Sequence, residues 1–597
     1  MSDEEASGVA DEPERAAGPS SATDFLALLR EQVRERPDAP AFGMIGDAPL
    51  SYAELDARIT GVVNALHANG FRPGDRMLFS IRPCVDAVIL VFGAIAAGGT
   101  IVFVDPGVGP ELFARRIDLV QPAWAATESL LYLLSGPLTR LGRARGLSLP
   151  AFADLPVRHI HSGIRLPGTP SDSLPLGRLL GSPASIRAKA STAPRTGPTA
   201  TPDGTTAPPD SPEKVWGAHA EASDRLDAEA ARAVSDATGV DPAAAGNGSA
   251  AAQTGPESAA LTDAAAEALI VFTSGTTAAP KAVVHTRGSL GAGLAAMAGR
   301  STLGPGAHLH TEQLMMGLPA LMAGARWSMP RYPRFGTHID PLRFARTLDS
   351  ATHAFFTPAD LAVVLTAIES GRLPAPALRE ISLGGAPVTT ALLRRARAAI
   401  PGCEFLAIYG MTEILPVAIT SGTAKLEFEG SGDPLGAPVR GVVARIAQDG
   451  ELVLSGPNLC HRYLGEPPLR EIPTGDLARM DGDTIILMGR KKDMMIRGKT
   501  NIYPGLYEPA IATVEGVRQA IMIGVPDEIG DERIILAVVP APDTPELLSR
   551  LRRELPTLMD TSALPDDIVL VPEIPVSGRT SKPDRAALRA QLTDRLP

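Results

Sequence analysis

The chain of 597 residues carries 67 Asp and Glu against 56 Lys and Arg, which gives a net charge of −11 when the histidines are neutral. An acidic balance of this size repels the phosphate backbone and excludes nucleic acid as a bulk electrostatic partner. The length exceeds that of one ordinary hydrophobic core, and the apolar fraction of 44% is ample for more than one. We therefore predict at least two domains.

The number and spacing of the cysteines indicate the redox compartment in which the protein works. Cys84, Cys403 and Cys460 lie far apart and lack CxxC spacing, which excludes a disulfide framework and a thiolate zinc site and fits a reducing cytoplasm. Residues 1–23 are acidic and rich in Ala, Ser and Pro, without the basic start and apolar run of a secretory signal. This segment is predicted to be a disordered tail.

Amphipathic helices and apolar strands alternate from residue 24 to about residue 131, as in an α/β domain with a largely parallel sheet. The apolar run over residues 87–104 is close to membrane length, but Gly98 and Gly99 form a turn signal that divides it. The sequence therefore predicts a buried helix followed by a parallel strand, and no membrane segment.

Composition changes abruptly between about residue 166 and residue 261, where Ala, Pro, Gly, Ser and Thr dominate and Trp216 is the only aromatic side chain. Such a stretch buries too little apolar surface to offset its chain entropy, so we predict a disordered insertion. Ordered patterning resumes at "AEALIVFTSG" and becomes smaller in scale after Arg490. The predicted organisation is one domain over 24–490, interrupted by the insertion, and a compact α+β domain over 491–597.

A polar loop follows the strand predicted over residues 269–272. Hydroxyls, exposed backbone N–H groups and one cation on such a loop are what a polyphosphate needs. The spacing does not match a Walker A loop, since Pro280 precedes the lysine and Ala282 follows it. Taken alone, the loop is as typical of an ordinary polar turn as of a phosphate-binding loop. Its candidate phosphate-binding residues are Thr273, Ser274, Gly275, Thr276, Thr277 and Lys281.

Five further stretches follow this loop in order: "ISLGGAPV", "YGMTE", "TGDLARMD", "GRKKD" and "KPDR". With the loop, they resemble the motifs of the adenylate-forming superfamily, which includes acyl-CoA synthetases, luciferases and the adenylation domains of peptide synthetases. The resemblance implies a large N-terminal α/β domain with parallel sheets and helices. It also implies a small mobile C-terminal α+β domain and the use of ATP and Mg²⁺.

The resemblance assigns the nucleotide base to two motifs. In "GGAP", Gly384, Gly385 and Ala386 match the turn that lies along adenine. In "YGMTE", Tyr409 matches the aromatic ring that stacks on the base. Without this context, Tyr409 would be taken for an ordinary core aromatic.

Four more residues receive roles from the resemblance. Asp476 matches the acid that accepts both ribose hydroxyls, and Arg490 matches a nucleotide-contacting arginine. Thr412 matches the residue that contacts the α-phosphate, and Glu413 matches the carboxylate that holds Mg²⁺. A carboxylate suits this ion, which prefers oxygen ligands and shares them with phosphates and water.

The ending "SKPDRAAL" places Lys582 at the family's catalytic position. The implied reaction is attack of a carboxylate on the α-phosphorus of ATP, followed by transfer of the acyl group, and it needs positioned charge rather than an enzyme nucleophile. Lys492 matches the hinge about which the C-terminal domain turns, although it also fits a solvated "RKK" run. The loop around Gly498 then forms the channel for an acceptor thiol.

Some matches are loose or altered. His310 in "HLHTEQLMMGLPALMAG" aligns loosely with an acyl-site residue, although a lone histidine is more often structural. Ala278 and Ala282 stand where the family has Gly, which restricts the phosphate loop wherever φ is positive. Leu506 replaces the first acid of the family's P-x-E-I-E motif.

The leading interpretation is a cytoplasmic acyl-CoA synthetase that uses ATP, Mg²⁺ and CoA on an apolar, fatty carboxylic acid. One alternative is a β-lactone synthetase, in which the hydroxyl of a β-hydroxy acid displaces AMP. Another is a ligase that loads the thiol of a carrier protein. A nucleotide-binding interaction protein without turnover is the non-enzymatic alternative, which the two loop alanines favour and the retained Glu413, Asp476 and Lys582 oppose.

Overall fold

The computed structural model describes residues 24–104, 110–144, 149–180, 264–272, 281–333, 339–497, 500–526, 532–577 and 582–593. All of them belong to one compact unit of the chain, formed by residues 1–187 and 260–597. Predictions for the tail over 1–23 and for residues 181–261 of the insertion lie outside the described residues.

The second helix of the first part begins at a side-chain cap. Ser51 precedes the second helix and forms a capping box: its hydroxyl accepts from the Glu54 N–H at 3.1 Å, and the Glu54 carboxylate accepts from the Ser51 N–H at 3.0 Å. The helices up to the insertion are α1 Phe25–Glu35, α2 Tyr52–Ala68, α3 Val85–Ala96, α4 Pro110–Val120, α5 Ser129–Ser135, α6 Thr139–Ala144 and α7 Leu176–Leu180.

The later helices cover the sheets and build the end of the chain. They are α8 Arg287–Arg300, α9 Leu314–Met322, α10 Pro341–Ala345, α11 Pro358–Glu369, α12 Thr390–Ala399, α13 Gly422–Glu427, α14 Pro504–Ile511, α15 Leu547–Leu558 and α16 Arg585–Thr593. Single 3₁₀ turns occur at Phe152–Asp154, Lys491–Asp493 and Thr561–Ala563.

The parallel strands up to Arg490 are short, and most have a buried centre, as expected for sheets covered on both faces. Before residue 290 the strands are β1 Pro40–Met44, β2 Leu50–Ser51, β3 Arg76–Ser80, β4 Thr100–Phe103, β5 Trp124–Glu128, β6 Arg158–Ser162, β7 Leu174–Pro175, β8 Glu267–Phe272 and β9 Ala282–Thr286. After it they are β10 His308–His310, β11 Arg326–Met329, β12 His353–Phe356, β13 Glu380–Leu383, β14 Glu404–Met411, β15 Ile414–Ser421, β16 Asp433–Gly436, β17 Val443–Ile446, β18 Glu451–Ser455, β19 Arg462–Tyr463, β20 Ile472–Asp481 and β21 Thr484–Arg490.

Within the described residues these strands form two eight-stranded sheets and one of five strands. The first has the order β15-β14-β13-β12-β10-β11-β1-β2 and is parallel from β14 to β1. The second has the order β19-β9-β8-β4-β3-β5-β6-β7 and is parallel from β8 to β7. The third, β16-β21-β20-β18-β17, is antiparallel. Parallel strands align their carboxyl ends, where ligands bind in such sheets.

The chain after Arg490 has hydrophobic clusters of its own. Its strands are β22 Met495–Arg497, β23 Thr500–Ile502, β24 Val517–Pro526, β25 Glu532–Pro540, β26 Asp567–Leu570, β27 Val576–Ser577 and β28 Lys582–Pro583. Two clusters here draw only on residues 495–592, whereas the three preceding clusters draw only on residues 25–487. The predicted fold class, a large α/β part with parallel sheets and a smaller α+β part, is confirmed.

The run over residues 87–104 divides as predicted. α3 ends at Ala96, Gly98 adopts a positive φ of 86°, and β4 begins at Thr100. A Cβ at Gly98 would lie 3.0 Å from the Pro73 side chain, so both the turn and the packing require glycine. In the described part of the chain, no helix has the length and apolar character to span a bilayer.

One boundary was wrong. The insertion was predicted to begin at about residue 166, but residues 166–180 are folded, and β7 pairs with β6 at the edge of the second sheet. Leu176, Leu179 and Leu180 are buried in the main hydrophobic cluster. The boundary was misplaced because the average composition of the stretch is polar, and these few leucines hardly change that average.

Candidate functional site

The motif "YGMTE" forms a tight hairpin at the carboxyl end of the first sheet. Met411 pairs with Ile414 across β14 and β15, so Thr412 and Glu413 are the two turn residues. Thr412 is exposed, whereas Glu413 is buried at 6% exposure. The turn therefore presents one hydroxyl to solvent and holds one carboxylate inside.

Two distant residues fix the backbone of this turn. The His285 Nε2–H donates to the Thr412 carbonyl at 2.7 Å, and the Cys460 N–H donates to the Glu413 carbonyl at 2.6 Å. Burial lowers the pKa of His285, so the ring is neutral and its Nδ1 accepts from the Ser289 hydroxyl at 3.3 Å. Because the Thr412 carbonyl can only accept a hydrogen bond, the neutral His285 ring carries its proton on Nε2.

Tyr409, Asp476 and Arg490 meet beside the hairpin. The Tyr409 hydroxyl donates to Asp476 Oδ2 at 2.7 Å, and Arg490 Nε lies 3.0 Å from Oδ1. Burial, and then the charge of Asp476, raise the pKa of Tyr409, so the phenol keeps the proton it donates. Asp476 and Arg490 are direct partners across β20 and β21, which explains their contact.

Oδ1 of Asp476 forms an ion pair rather than a hydrogen bond. The carboxylate is buried at 6% exposure, and Oδ1 lies 3.0 Å from Arg490 Nε but accepts no hydrogen bond among the described residues. Its loop is well fixed, since the Asp476 N–H donates to Thr474 Oγ1 at 3.1 Å and the Gly475 N–H donates to Glu451 at 2.8 Å. A buried acceptor held in this way suits a ribose hydroxyl.

The glycine turn predicted to lie along adenine follows β13 directly. Gly384 is buried, and a Cβ there would lie 3.4 Å from the Ile408 carbonyl oxygen and 3.5 Å from the Phe355 ring. Gly385 has a positive φ of 81°. Gly384, Gly385 and Ala386 therefore bring bare backbone close to β14, which carries Tyr409.

A small cavity lies on the same face of the first sheet, beneath Gly384. It encloses about 30 Å³, space for about two water molecules. Side chains that alternate along β12, β13 and β14 form one wall, and α8 and α9 form the other. Its main lining side chains are Met297, Met316, Phe355, Ser382, Leu406 and Ile408.

The far end of the cavity is polar. Glu380 is 2% exposed and accepts from the Ser301 hydroxyl, from the Thr302 N–H at 2.8 Å and from the Thr302 hydroxyl at 2.8 Å. His353 Nε2 lies 2.8 Å from the same Thr302 oxygen, and burial lowers the pKa of His353. The cavity thus runs from an apolar middle to a buried carboxylate.

His310 lies away from this cavity. On β10 it points to the face opposite Leu309, which lines the cavity. Its Nδ1 lies 2.7 Å from the Ser328 hydroxyl and its Nε2 lies 3.0 Å from the Thr347 hydroxyl, while its ring stacks on Phe344. The loose acyl-site match stays a prediction: in the fold His310 is a core histidine, and burial lowers its pKa to about 3.

The positions of the predicted lysines are as follows. Lys281 is exposed, and its Nζ lies 4.6 Å from the centre of the Tyr463 ring. Lys492 is exposed in the turn that follows β21. The backbone of Lys582 pairs with Ser577 between β27 and β28. The remaining predicted residues, Thr273, Ser274, Gly275, Thr276, Thr277, Ala278 and Gly498, lie outside the described residues.

Sequence reasoning missed two residues that contact the hairpin. Tyr463 donates its hydroxyl to Glu413 Oε1 at 2.9 Å, and burial, then Glu413, raise the pKa of Tyr463. His285 holds the Thr412 carbonyl from 127 positions away. Neither residue stood in a quoted motif, and an unremarkable tyrosine in "LCHRYLGEP" offered no local signal.

The site supplies only part of the ligand shell that Mg²⁺ needs, and a bound polyphosphate would supply more of it. Among the described residues, no group of three or more His, Cys, Asp or Glu side chains is arranged to hold a metal ion. Glu413 supplies one buried carboxylate, and Mg²⁺ commonly takes one or two carboxylates and completes its shell with phosphate oxygens and water. Glu413 therefore fits a metal that arrives with a polyphosphate.

The fold and these contacts define an α/β protein with a buried carboxylate held by a tyrosine and an arginine, a hydroxyl–carboxylate hairpin and an adjacent cavity beside the carboxyl edge of a parallel sheet. The chain belongs to the AMP-binding enzyme family, which it matches over residues 29–144 and 203–464. It also matches the AMP-binding enzyme C-terminal domain over residues 507–580. The predicted superfamily is thereby confirmed.

Its curated relatives act on different acids. A fatty acid–acyl-carrier-protein ligase of Streptomyces coeruleorubidus is 28% identical over 308 residues, 47% of this chain and 58% of that protein. A feruloyl-CoA synthase of an Amycolatopsis species is 36% identical over 30% of this chain and 40% of its own length. The chain thus spans about half the length of these two relatives. An olefin β-lactone synthetase of Stenotrophomonas maltophilia is 25% identical over 577 residues, 84% of this chain and 85% of that protein.

Solved structures share the fold over nearly the whole chain. An amide bond synthetase from Marinactinospora thermotolerans has a TM-score of 0.67 and 19% identity, covering 95% of this chain and 99% of its own. ATP-bound MatB from Rhodopseudomonas palustris has a TM-score of 0.64 and 19% identity, covering 96% and 99%. At these identities the likeness shows the fold alone.

Proposed function

We propose that this chain activates a carboxylic acid by attack of its carboxylate on the α-phosphorus of ATP, which yields an acyl adenylate and pyrophosphate. The observation that supports the proposal is the buried Asp476 carboxylate beside the Thr412–Glu413 turn: Tyr409 donates to Oδ2, and Oδ1 is paired with Arg490 but accepts no hydrogen bond among the described residues. This acceptor fits a ribose hydroxyl at the edge of a parallel sheet where nucleotides bind. The turn beyond it is then placed for the phosphates.

The proposed contacts extend the family resemblance to the positions of the described residues. Adenine would lie along Gly384–Gly385–Ala386 with the Tyr409 ring against it, and Asp476 would accept from the ribose. The exposed Thr412 hydroxyl would donate to an α-phosphate oxygen, while Glu413 and phosphate oxygens would hold Mg²⁺. That ion, when bound, neutralises phosphate charge. Lys281 and Lys582 would supply positive charge that stabilises the negative charge developing on the phosphoryl oxygens.

The acid is proposed to enter the cavity beneath Gly384, with its carboxylate toward Thr412. A cavity of about 30 Å³ cannot hold an acyl chain, so Met297 and Met316 must change rotamer when the acid binds. Methionine suits this because its unbranched side chain refits easily around a ligand. The second step would release AMP by transfer of the acyl group to the thiol of CoA.

One observation favours a second candidate, a β-lactone synthetase acting on a β-hydroxy acid. The relative that aligns with 84% of this chain is an olefin β-lactone synthetase. The Ser382 hydroxyl also lines the cavity, two positions before Gly384 and close to where the substrate carboxylate would lie. A hydroxyl on the substrate would have a polar neighbour there, and no CoA would be consumed.

The test is pyrophosphate exchange into ATP with a panel of fatty and 3-hydroxy fatty acids, followed by mass spectrometry of products with and without CoA. Lys582→Ala is expected to lower exchange by about 100-fold or more, because one charge that stabilises the transition state is lost. Arg550→Ala, which removes a cation from α15, is the matched control and should exchange normally. An unaffected Lys582→Ala enzyme would overturn the role of Lys582, and no exchange with any acid would overturn the proposed reaction.

A further inference from the structure

A short segment ties the two phosphate-binding motifs together. We call residues 459–464 the strap. On one side, Leu459 bridges to Ile414 and the Cys460 N–H donates to the Glu413 carbonyl at 2.6 Å. On the other, the N–H groups of His461 and Leu464 donate to the carbonyls of Val284 and Ala282, each at 2.8 Å. The strap therefore joins the "YGMTE" turn to β9, which starts directly after Lys281.

One side chain of the strap reaches both motifs. Tyr463 is half-buried, its hydroxyl donates to Glu413 Oε1 at 2.9 Å, and its ring centre lies 4.6 Å from Lys281 Nζ. In the described part of the chain, Oε1 is the Glu413 oxygen that accepts this bond, and the other carboxylate oxygen accepts none. The tyrosine thereby fixes the rotation of the carboxylate and leaves one oxygen for a cation.

We propose that Tyr463 is a positioning residue for adenylation, which orients Glu413 toward the metal–triphosphate through its hydroxyl and holds Lys281, directly before β9, through its ring. The proposal rests on the proposed function, since it requires ATP at this site. Residues that hydrogen-bond a metal-binding carboxylate commonly set its metal affinity. A cation against an aromatic face is attracted by the ring quadrupole.

The two contacts separate experimentally. Tyr463→Phe removes only the hydroxyl, so the gain in ATP affinity that Mg²⁺ provides should fall by about tenfold or more, while ATP binding in EDTA stays the same. Tyr463→Leu also removes the ring, so ATP binding in EDTA should weaken by roughly threefold. A purely structural tyrosine would not produce this division.

The measurement is isothermal titration calorimetry of the full chain with ATP, in Mg²⁺ and in EDTA, without acid so that no turnover occurs. Tyr507→Phe is the matched control, because the Tyr507 hydroxyl also donates to a carboxylate, Asp560, at 2.7 Å but belongs to no candidate site. Thermal unfolding of each variant establishes that it is folded.

The outcomes distinguish the two proposals. If wild type gains affinity from Mg²⁺ and Tyr463→Phe gains as much, the positioning role is overturned while the proposed function stands. If wild type gains nothing from Mg²⁺, both are overturned. In a Glu413→Gln background, Tyr463→Phe should have no further effect on the Mg²⁺ gain; an undiminished effect would show that the hydroxyl does not act through Glu413.

Discussion

The two ends of the candidate site are built differently. At the proposed nucleotide end, Tyr409 and Arg490 contact the two oxygens of Asp476 directly, at 2.7 Å and 3.0 Å. At the proposed acid end, two methionine side chains line a cavity of about 30 Å³ that is also lined by Ser382 and Glu380. The first end is fixed by a hydrogen bond and an ion pair, whereas we propose that the second is reshaped by side chains that move.

This difference indicates where selectivity resides. Hydrogen bonds are directional, so the nucleotide end discriminates strongly against a ligand that leaves them unpaired. Apolar contacts are not directional, so the acid end discriminates by volume and is changed by single substitutions. We expect changes at the first end to affect ATP affinity steeply, and changes at the second to alter acid preference modestly.

The largest expected effect is at the nucleotide end. Asp476→Ala removes the ribose acceptor and leaves the Tyr409 hydroxyl and the Arg490 guanidinium without their partner. ATP affinity measured by calorimetry should fall by about 100-fold, since hydrogen bonds to a charged group are lost. Asp481→Ala, on the same strand and exposed beside Arg479, is the control and should bind ATP normally. Equal affinities for the Asp476→Ala and wild-type proteins would show that the ribose lies elsewhere.

A second prediction concerns the rigid wall behind the cavity. The folded pKa of His310 is lowered to about 3, so below pH 6.5 the unfolded chain binds a proton that the folded chain excludes. Stability is therefore lost as pH falls from 6.5 toward 3, and by pH 5 this one group costs about 2 kcal/mol. His310→Gln should remove that part of the pH dependence in urea unfolding at pH 7, 6 and 5. Parallel pH profiles for the two proteins would contradict the buried neutral state.

The smallest expected effect is at the acid end. Met316→Ala enlarges the cavity, so preference in kcat/KM should shift several-fold toward bulkier acids, as for one or two methylenes in an apolar pocket. The KM for ATP should not change. Met315→Ala is the matched control, because Met315 lines a separate apolar cavity of about 20 Å³ with Phe92 and Leu318. An identical shift in both variants would mean that lost stability, rather than cavity shape, caused the change.

The local features could be predicted from the sequence because short-range physics sets them. The capping box at Ser51 and the division of residues 87–104 at Gly98 depend on neighbours within a few positions. The order of the motifs sufficed to predict the family, which is confirmed, and the α/β class with its smaller second part. The roles assigned to the individual motif residues stay predictions that the experiments above test.

Only the tertiary structure decided which motif residues meet and what supports them. Tyr409 and Asp476 are 67 positions apart, and Tyr463 lies 50 positions from Glu413. Strand alternation turns His310 to the face away from the cavity, and what it contacts there depends on which neighbour covers that face; its loose acyl-site match stays a prediction. Sequence determines the side chains and the local turns, whereas sheet order and register determine which of those side chains come into contact.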